Sequence, residues 1–266
     1  MIDLTTVDYS ALDRPEILMF LFHPRPEWEG RGGSPSAKDV MIPVGDDAVI
    51  GGRFHVHDKA SPSILFFHGN GEIVSDYDEM GPMYNQTGMN FLAVDYRGYG
   101  RSTGRPTVTA MMRDCHVIYD FSKGWLAENG CTGPFIVMGR SLGSASALEL
   151  VRHYGEAIDG LIVESGFAFA GPLLRLLGID PDALGFTEAA GFGNVDKIRA
   201  YDKPTLVIHA EFDHIIPFSD GQALYDASPA EDKTLLKIPG ANHNDIFMRG
   251  LREYMAAVKS FSERVK

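Results

Sequence analysis

Short apolar runs recur along this chain, separated by longer segments in which apolar residues return every three to four positions. Residues 63–67, Ser-Ile-Leu-Phe-Phe, are almost wholly apolar, as a strand covered on both faces has to be. Residues 91–94, 135–138, 161–163 and 206–208 repeat that pattern, and 235–238, interrupted by Lys237, reads as a less buried strand. A long helix is predicted over 109–129, after a capping region at Thr107 and before Gly130; 142–154, 218–227 and 245–264 predict three more. This alternation predicts an α/β fold with a mainly parallel sheet. Residues 40–57, with Gly51-Gly52 between strand-like pieces, predict an opening antiparallel hairpin. Residues 166–199 leave the alternation, are rich in Phe, Leu and Gly, and read as a small cap inserted over one end of the sheet.

Composition narrows the function classes. The 266 residues, 44% hydrophobic, suffice for a sizeable core, and no repeat or linker-like tract divides them. One domain over 1–266 is therefore expected. A net charge of −12 without any Lys/Arg cluster argues against a nucleic-acid partner. Cys115 and Cys131 form no CxxC and no metal-binding spacing, so they read as plain thiols and no metal is expected. The first residues lack the basic and apolar regions of a signal peptide, and the apolar run 17–22 is too short to span a bilayer. The expectation is a cytoplasmic enzyme without a membrane anchor.

The candidate chemistry centres on Gly139-Arg140-Ser141-Leu142-Gly143, which lies between a strand-like run and a segment rich in small residues. A nucleophile elbow requires that context: the turn is tight, and the flanking glycines remove side chains that would strike neighbouring backbone. A serine needs a base, and the base needs an orienting acid. Downstream, Asp213 follows the strand at 206–208 and His243 follows the last strand, so both can converge on Ser141 as base-orienting acid and general base. His209 reads as a core histidine, His214 and Glu211 as weaker candidates for base and acid. Asp95 and Glu164 end strands away from the expected acid position, and Asp245 reads as a helix cap. The oxyanion donors are expected to be the backbone N–H groups of Leu142 and of Asn70, in the loop His68-Gly69-Asn70-Gly71, with Gly69 as the fallback. Neither glycine-rich loop fits a phosphate-binding motif, and residues 96–102 read as a structural turn. The apolar residues of 166–199, among them Phe167, Phe169, Leu173 and Phe192, suit an acyl-binding wall and equally a packed cap.

Together, HGNG at 68–71, DYRGYGRS at 95–102, GRSLG at 139–143, Asp213 and His243 resemble the α/β-hydrolase superfamily over about residues 40–260. They look closest to its Bem46-like branch, which includes the α/β-hydrolase-domain lipid and acyl-protein thioesterases. The resemblance implies an eight-stranded sheet flanked by helices, a site at the C-terminal strand ends, an acyl-serine intermediate and no cofactor. It places Ser141, Asp213 and His243 in the triad roles and Asn70 and Leu142 in the oxyanion hole. The eukaryotic thioesterase members carry an N-terminal cysteine cluster for lipid attachment, whereas the first cysteine here is Cys115. The expected function is a serine hydrolase acting on small or acyl-chain esters or thioesters. Peptide-bond or carbon–carbon hydrolysis by the same triad, and a non-catalytic ligand-binding role, stay open as alternatives.

Overall fold

In the computed structural model, which describes residues 2–28 and 37–265, each apolar run becomes a strand. The strands are β1 (Ala37–Gly45), β2 (Ala48–His55), β3 (Ser63–Phe67), β4 (Asn90–Val94), β5 (Phe135–Arg140), β6 (Gly160–Glu164), β7 (Thr205–Ala210) and β8 (Lys233–Ile238). They form one eight-stranded sheet in the order β1-β2-β4-β3-β5-β6-β7-β8. β1 and β2 pair antiparallel, as do β2 and β4; every other pairing is parallel. The helices are α1 (Pro15–Leu21), α2 (Met80–Gln86), α3 (Val108–Glu128), α4 (Gly143–Tyr154), α5 (Ala170–Leu176), α6 (Asn194–Arg199), α7 (Phe218–Ala227) and α8 (Ile246–Arg264).

The run in β3 is continuous because both of its faces are covered. Leu65 and Phe67 pack into one core with Met112 of α3, Leu148 of α4 and Leu224 of α7. Ile64 and Phe66 enter a second core with Tyr84 of α2 and Val258 of α8. Successive side chains of a strand point to opposite faces, so a fully apolar strand serves two helical layers at once.

Two local expectations need correction. The hairpin forms, but its reversal is not at Gly51-Gly52, which lie inside β2 opposite Met41 and Val40. The chain turns at Asp46 and Asp47, both at positive φ (51° and 56°), the backbone that a tight hairpin turn demands and that short polar side chains tolerate. Asp245 does stand at the N-terminus of α8, yet its carboxylate caps no helical N–H. It accepts instead from the Asn242 N–H and Nδ2 and stiffens the preceding loop.

Between β6 and β7 the chain runs through α5 and α6. Its apolar side chains divide: Phe167, Leu174 and Phe192 are buried in the main core, whereas Phe169 and Leu176 are 40% and 51% exposed. Among the described residues, no helix is long and apolar enough to cross a membrane.

Candidate active site

Ser141 sits where β5 hands over to α4, at the C-terminal edge of the parallel strands. Its φ of 51° is left-handed, a conformation that costs a non-glycine residue about 1–3 kcal/mol and is held only where the surroundings impose it. The neighbours do impose it. A Cβ at Gly139 would lie 2.2 Å from the Gly143 carbonyl oxygen, and one at Gly143 only 2.1 Å from that of Phe67. The Ser141 N–H donates to the Glu164 carbonyl, and its own carbonyl accepts from the Ser144 N–H and Oγ. The side chain is thereby raised above the sheet edge with its backbone locked on both sides.

His243 Nε2 lies 3.0 Å from Ser141 Oγ, and His243 Nδ1 lies 2.7 Å from Asp213 Oδ2. These three residues come from the ends of β5, β7 and β8, separated by up to 102 positions and joined only by strand order. The other Asp213 oxygen accepts from the N–H groups of Ile215 and Ile216. Burial alone would raise the Asp213 carboxyl. The His243 ring and the two N–H donors outweigh it and hold the group below its ordinary range. The loops bearing Asp213 and His243 are laced together: Glu211 N–H donates to the Ile238 carbonyl, Phe212 N–H to that of Ala241, and Gly240 N–H to Glu211 Oε2. Glu211 thus joins the loops and does not approach the histidine ring.

His209 is fully buried, with Nε2 2.8 Å from the Ile216 carbonyl, and burial lowers its pKa. It lies beside Asp213, at 3.6 Å, in the core under the site. His214 is exposed. Asp95 accepts the Val74 N–H and stands 3.2 Å from His68 Nε2.

The loop after β3 shows how Asn70 is held. Its side-chain oxygen accepts from the His23 N–H and the Tyr99 hydroxyl, while Tyr96 donates to the His68 carbonyl at 2.6 Å. Residues 96–102 therefore brace this loop as well as turning the chain. The Gly69 N–H donates to Glu72 Oε2 at 2.7 Å, which engages the fallback donor. Among the described residues, the N–H groups of Asn70 and Leu142 have no partner within the chain.

Two further residues, Arg140 and Glu72, organise the site from behind. Arg140 is buried and donates to Glu72 Oε1, to Glu164 Oε1 and to the His243 carbonyl, each at 2.8–2.9 Å. Glu72 in turn accepts from the Gly69 N–H and the Tyr77 hydroxyl. One guanidinium so ties the loop after β3 to the loop that carries His243. Burial raises the Glu164 carboxyl despite the neighbouring Arg140. The position of Arg140 inside the elbow motif was visible beforehand; its partners, 24 to 103 residues away, were not.

A protein-family model described as Hydrolase_4 (serine aminopeptidase, S33) matches residues 58–178. Alpha/beta hydrolase domain-containing protein 17B of Homo sapiens is 32% identical over 214 residues, which cover 76% of this chain and 67% of that protein. Among solved structures, the esterase Pf2001 of Pyrococcus furiosus superposes with a TM-score of 0.72 at 19% identity, over 91% of this chain and 99% of that one. Est1E of Butyrivibrio proteoclasticus, with ferulic acid bound, superposes with a TM-score of 0.73 at 19% identity, over 85% and 98%.

Proposed function

The chain belongs to the α/β-hydrolase superfamily, and from that premise we propose that it is a serine hydrolase cleaving esters or thioesters through an acyl-serine intermediate. One contact carries the proposal: the 3.0 Å approach of His243 Nε2 to Ser141 Oγ, with Asp213 2.7 Å behind the ring. The name of the esterase Pf2001, which shares the fold, agrees with it.

His243 takes the Ser141 proton as Oγ attacks the carbonyl carbon, and Asp213 stabilises the imidazolium that forms. The oxyanion receives the N–H groups of Leu142, at the start of α4, and Asn70. The tetrahedral intermediate collapses as His243 protonates the leaving alcohol or thiol. A water, deprotonated by the same imidazole, attacks the acyl-serine, and its collapse returns the proton to Oγ and releases the acid. Each N–H donor to the oxyanion is worth about 2.7–4 kcal/mol of transition-state stabilisation.

The exposed Phe169 and Leu176, on the segment between β6 and β7, suit an apolar acyl group. Peptide-bond cleavage by the same three residues is the second reading, favoured by the aminopeptidase description of the matching family model. A fluorophosphonate probe should label the wild-type protein at Ser141 and leave Ser141→Ala unlabelled. A panel of p-nitrophenyl esters of graded chain length, run beside aminoacyl p-nitroanilides, then separates the readings. Labelling of Ser141→Ala equal to wild type would overturn the nucleophile assignment, and turnover of anilides alone would replace the esterase by a peptidase.

A further inference from the structure

On the same face of the sheet, far along α4 from the nucleophile, a second cluster has the donor set of a metal site. His116 of α3 with Glu149 and His153 of α4 each offer one donor atom, all three within 4.8 Å of one another. His116 Nε2 and His153 Nε2 lie 3.5 Å and 3.3 Å from Glu149 Oε1. Zinc bonds of about 2.0–2.1 Å at tetrahedral angles set ligand atoms about 3.3–3.4 Å apart, so both measured edges match. We infer that His116, Glu149 and His153 form a binding site for a divalent transition-metal ion, zinc first, that clamps α3 to α4.

The strongest sign is His116. Its side chain is 1% exposed and its Nε2, 3.5 Å from Glu149 Oε1, has no hydrogen-bond partner among the described residues. Its Nδ1 lies 3.1 Å from the Tyr154 hydroxyl. The Nδ1 contact fits either ring tautomer; with the proton on Nδ1, the Nε2 lone pair is free to bind a cation lying between it and Glu149 Oε1. The surrounding groups complete the pattern of a held ligand set. Glu149 Oε2 is fixed by Lys197 Nζ at 2.7 Å and the Tyr9 hydroxyl at 2.9 Å, leaving Oε1 for the ion. Entry is open, because His153 is 37% exposed and, with Glu149, Tyr9 and Lys197, lines a surface cleft of about 350 Å³. A water from the cleft would take the fourth position.

Two imidazoles and one carboxylate select zinc, cobalt or nickel over magnesium and calcium, which prefer oxygen. The Lys197 charge beside Glu149 opposes the ion, so the affinity should be micromolar, below that of a closed four-ligand site. Glu149 lies eight residues beyond Ser141, about 12 Å along a helix, so the ion stands apart from the reaction centre. The cysteine spacing gives no sign of such a site; the i,i+4 pair Glu149–His153 is the signal the sequence carries.

The test uses the full chain after chelator treatment, titrated with Co²⁺ and then Zn²⁺. One Co²⁺ per chain should bind with the visible absorption of a tetrahedral site, be displaced by Zn²⁺, and raise the thermal midpoint. His153→Gln, at a partly exposed position where the fold tolerates change, should lose the absorption and weaken Zn²⁺ at least tenfold. His116→Gln should do the same if folded by circular dichroism. No Co²⁺ bound by wild type, or binding unchanged in His153→Gln, overturns the inference.

Discussion

The Arg140 guanidinium donates through Nη2 to the main-chain carbonyl of His243 at 2.9 Å, so the residue preceding Ser141 holds the loop that carries His243. Lysine keeps the charge but cannot reach Glu72, Glu164 and the His243 carbonyl together. Arg140→Lys should therefore fold and lose about tenfold in kcat, the equivalent of about 1.4 kcal/mol, with KM little changed. Arg140→Ala leaves the buried Glu164 and the partly buried Glu72 without their shared cation and should cost about 3–5 kcal/mol of stability in urea unfolding. Wild-type kcat in a folded Arg140→Lys would remove this positioning role.

Glu72 connects that network to acid stability. Burial would raise its carboxyl, but Arg140, the Tyr77 hydroxyl and His68 outweigh this and bring it from 4.5 to about 2. A folded pKa below the unfolded one contributes stability that is complete above pH 4.5 and fades as pH falls toward about 2. Glu72→Gln should thus melt below wild type at neutral pH, and the gap should narrow between about pH 5 and about pH 3. Because a quarter of the side chain meets solvent, screening keeps the gap modest. A gap constant across that window in thermal melts would contradict the linkage.

Asp213→Asn preserves shape while removing the charge behind His243. The amide no longer stabilises the imidazolium and can favour the wrong ring tautomer, so kcat on p-nitrophenyl esters should fall about 10³–10⁴-fold. A loss under tenfold would mean that another acid serves the histidine.

The elbow glycines make a stability prediction with a built-in control. Gly143→Ala drives a Cβ to 2.1 Å from the Phe67 carbonyl oxygen, which neither backbone can relieve, so a loss of more than about 3 kcal/mol or an insoluble product is expected. Gly124→Ala, inside α3 where an added Cβ meets no other described residue within 4 Å beyond its own helix, should instead stabilise by about 0.5–1 kcal/mol. Chemical unfolding of the two variants settles the contrast.

The strands were legible in advance because an apolar run is a local consequence of burial on both faces, and β3 to β7 each show one. The hairpin reversal was misplaced because Gly51-Gly52 is the louder turn signal. The actual signal, Asp46-Asp47, consists of residues that turns and solvent-exposed positions share. Ser141, Asp213 and His243 were nameable from strand-end positions and chain order.

What the amino-acid order determined by itself is therefore whatever depends on near neighbours: strands, helices, the glycine-relieved elbow at Ser141, and the list of groups available for chemistry. What only the tertiary structure decided is which distant groups meet. Arg140 reaching Glu72 and His243, Tyr99 reaching Asn70, and His116 meeting Glu149 and His153 all depend on which strands lie adjacent and how α3 packs on α4. Hydrogen bonds and metal bonds act within about 3 Å, and no spacing along the chain encodes a distance that short between elements brought together by folding.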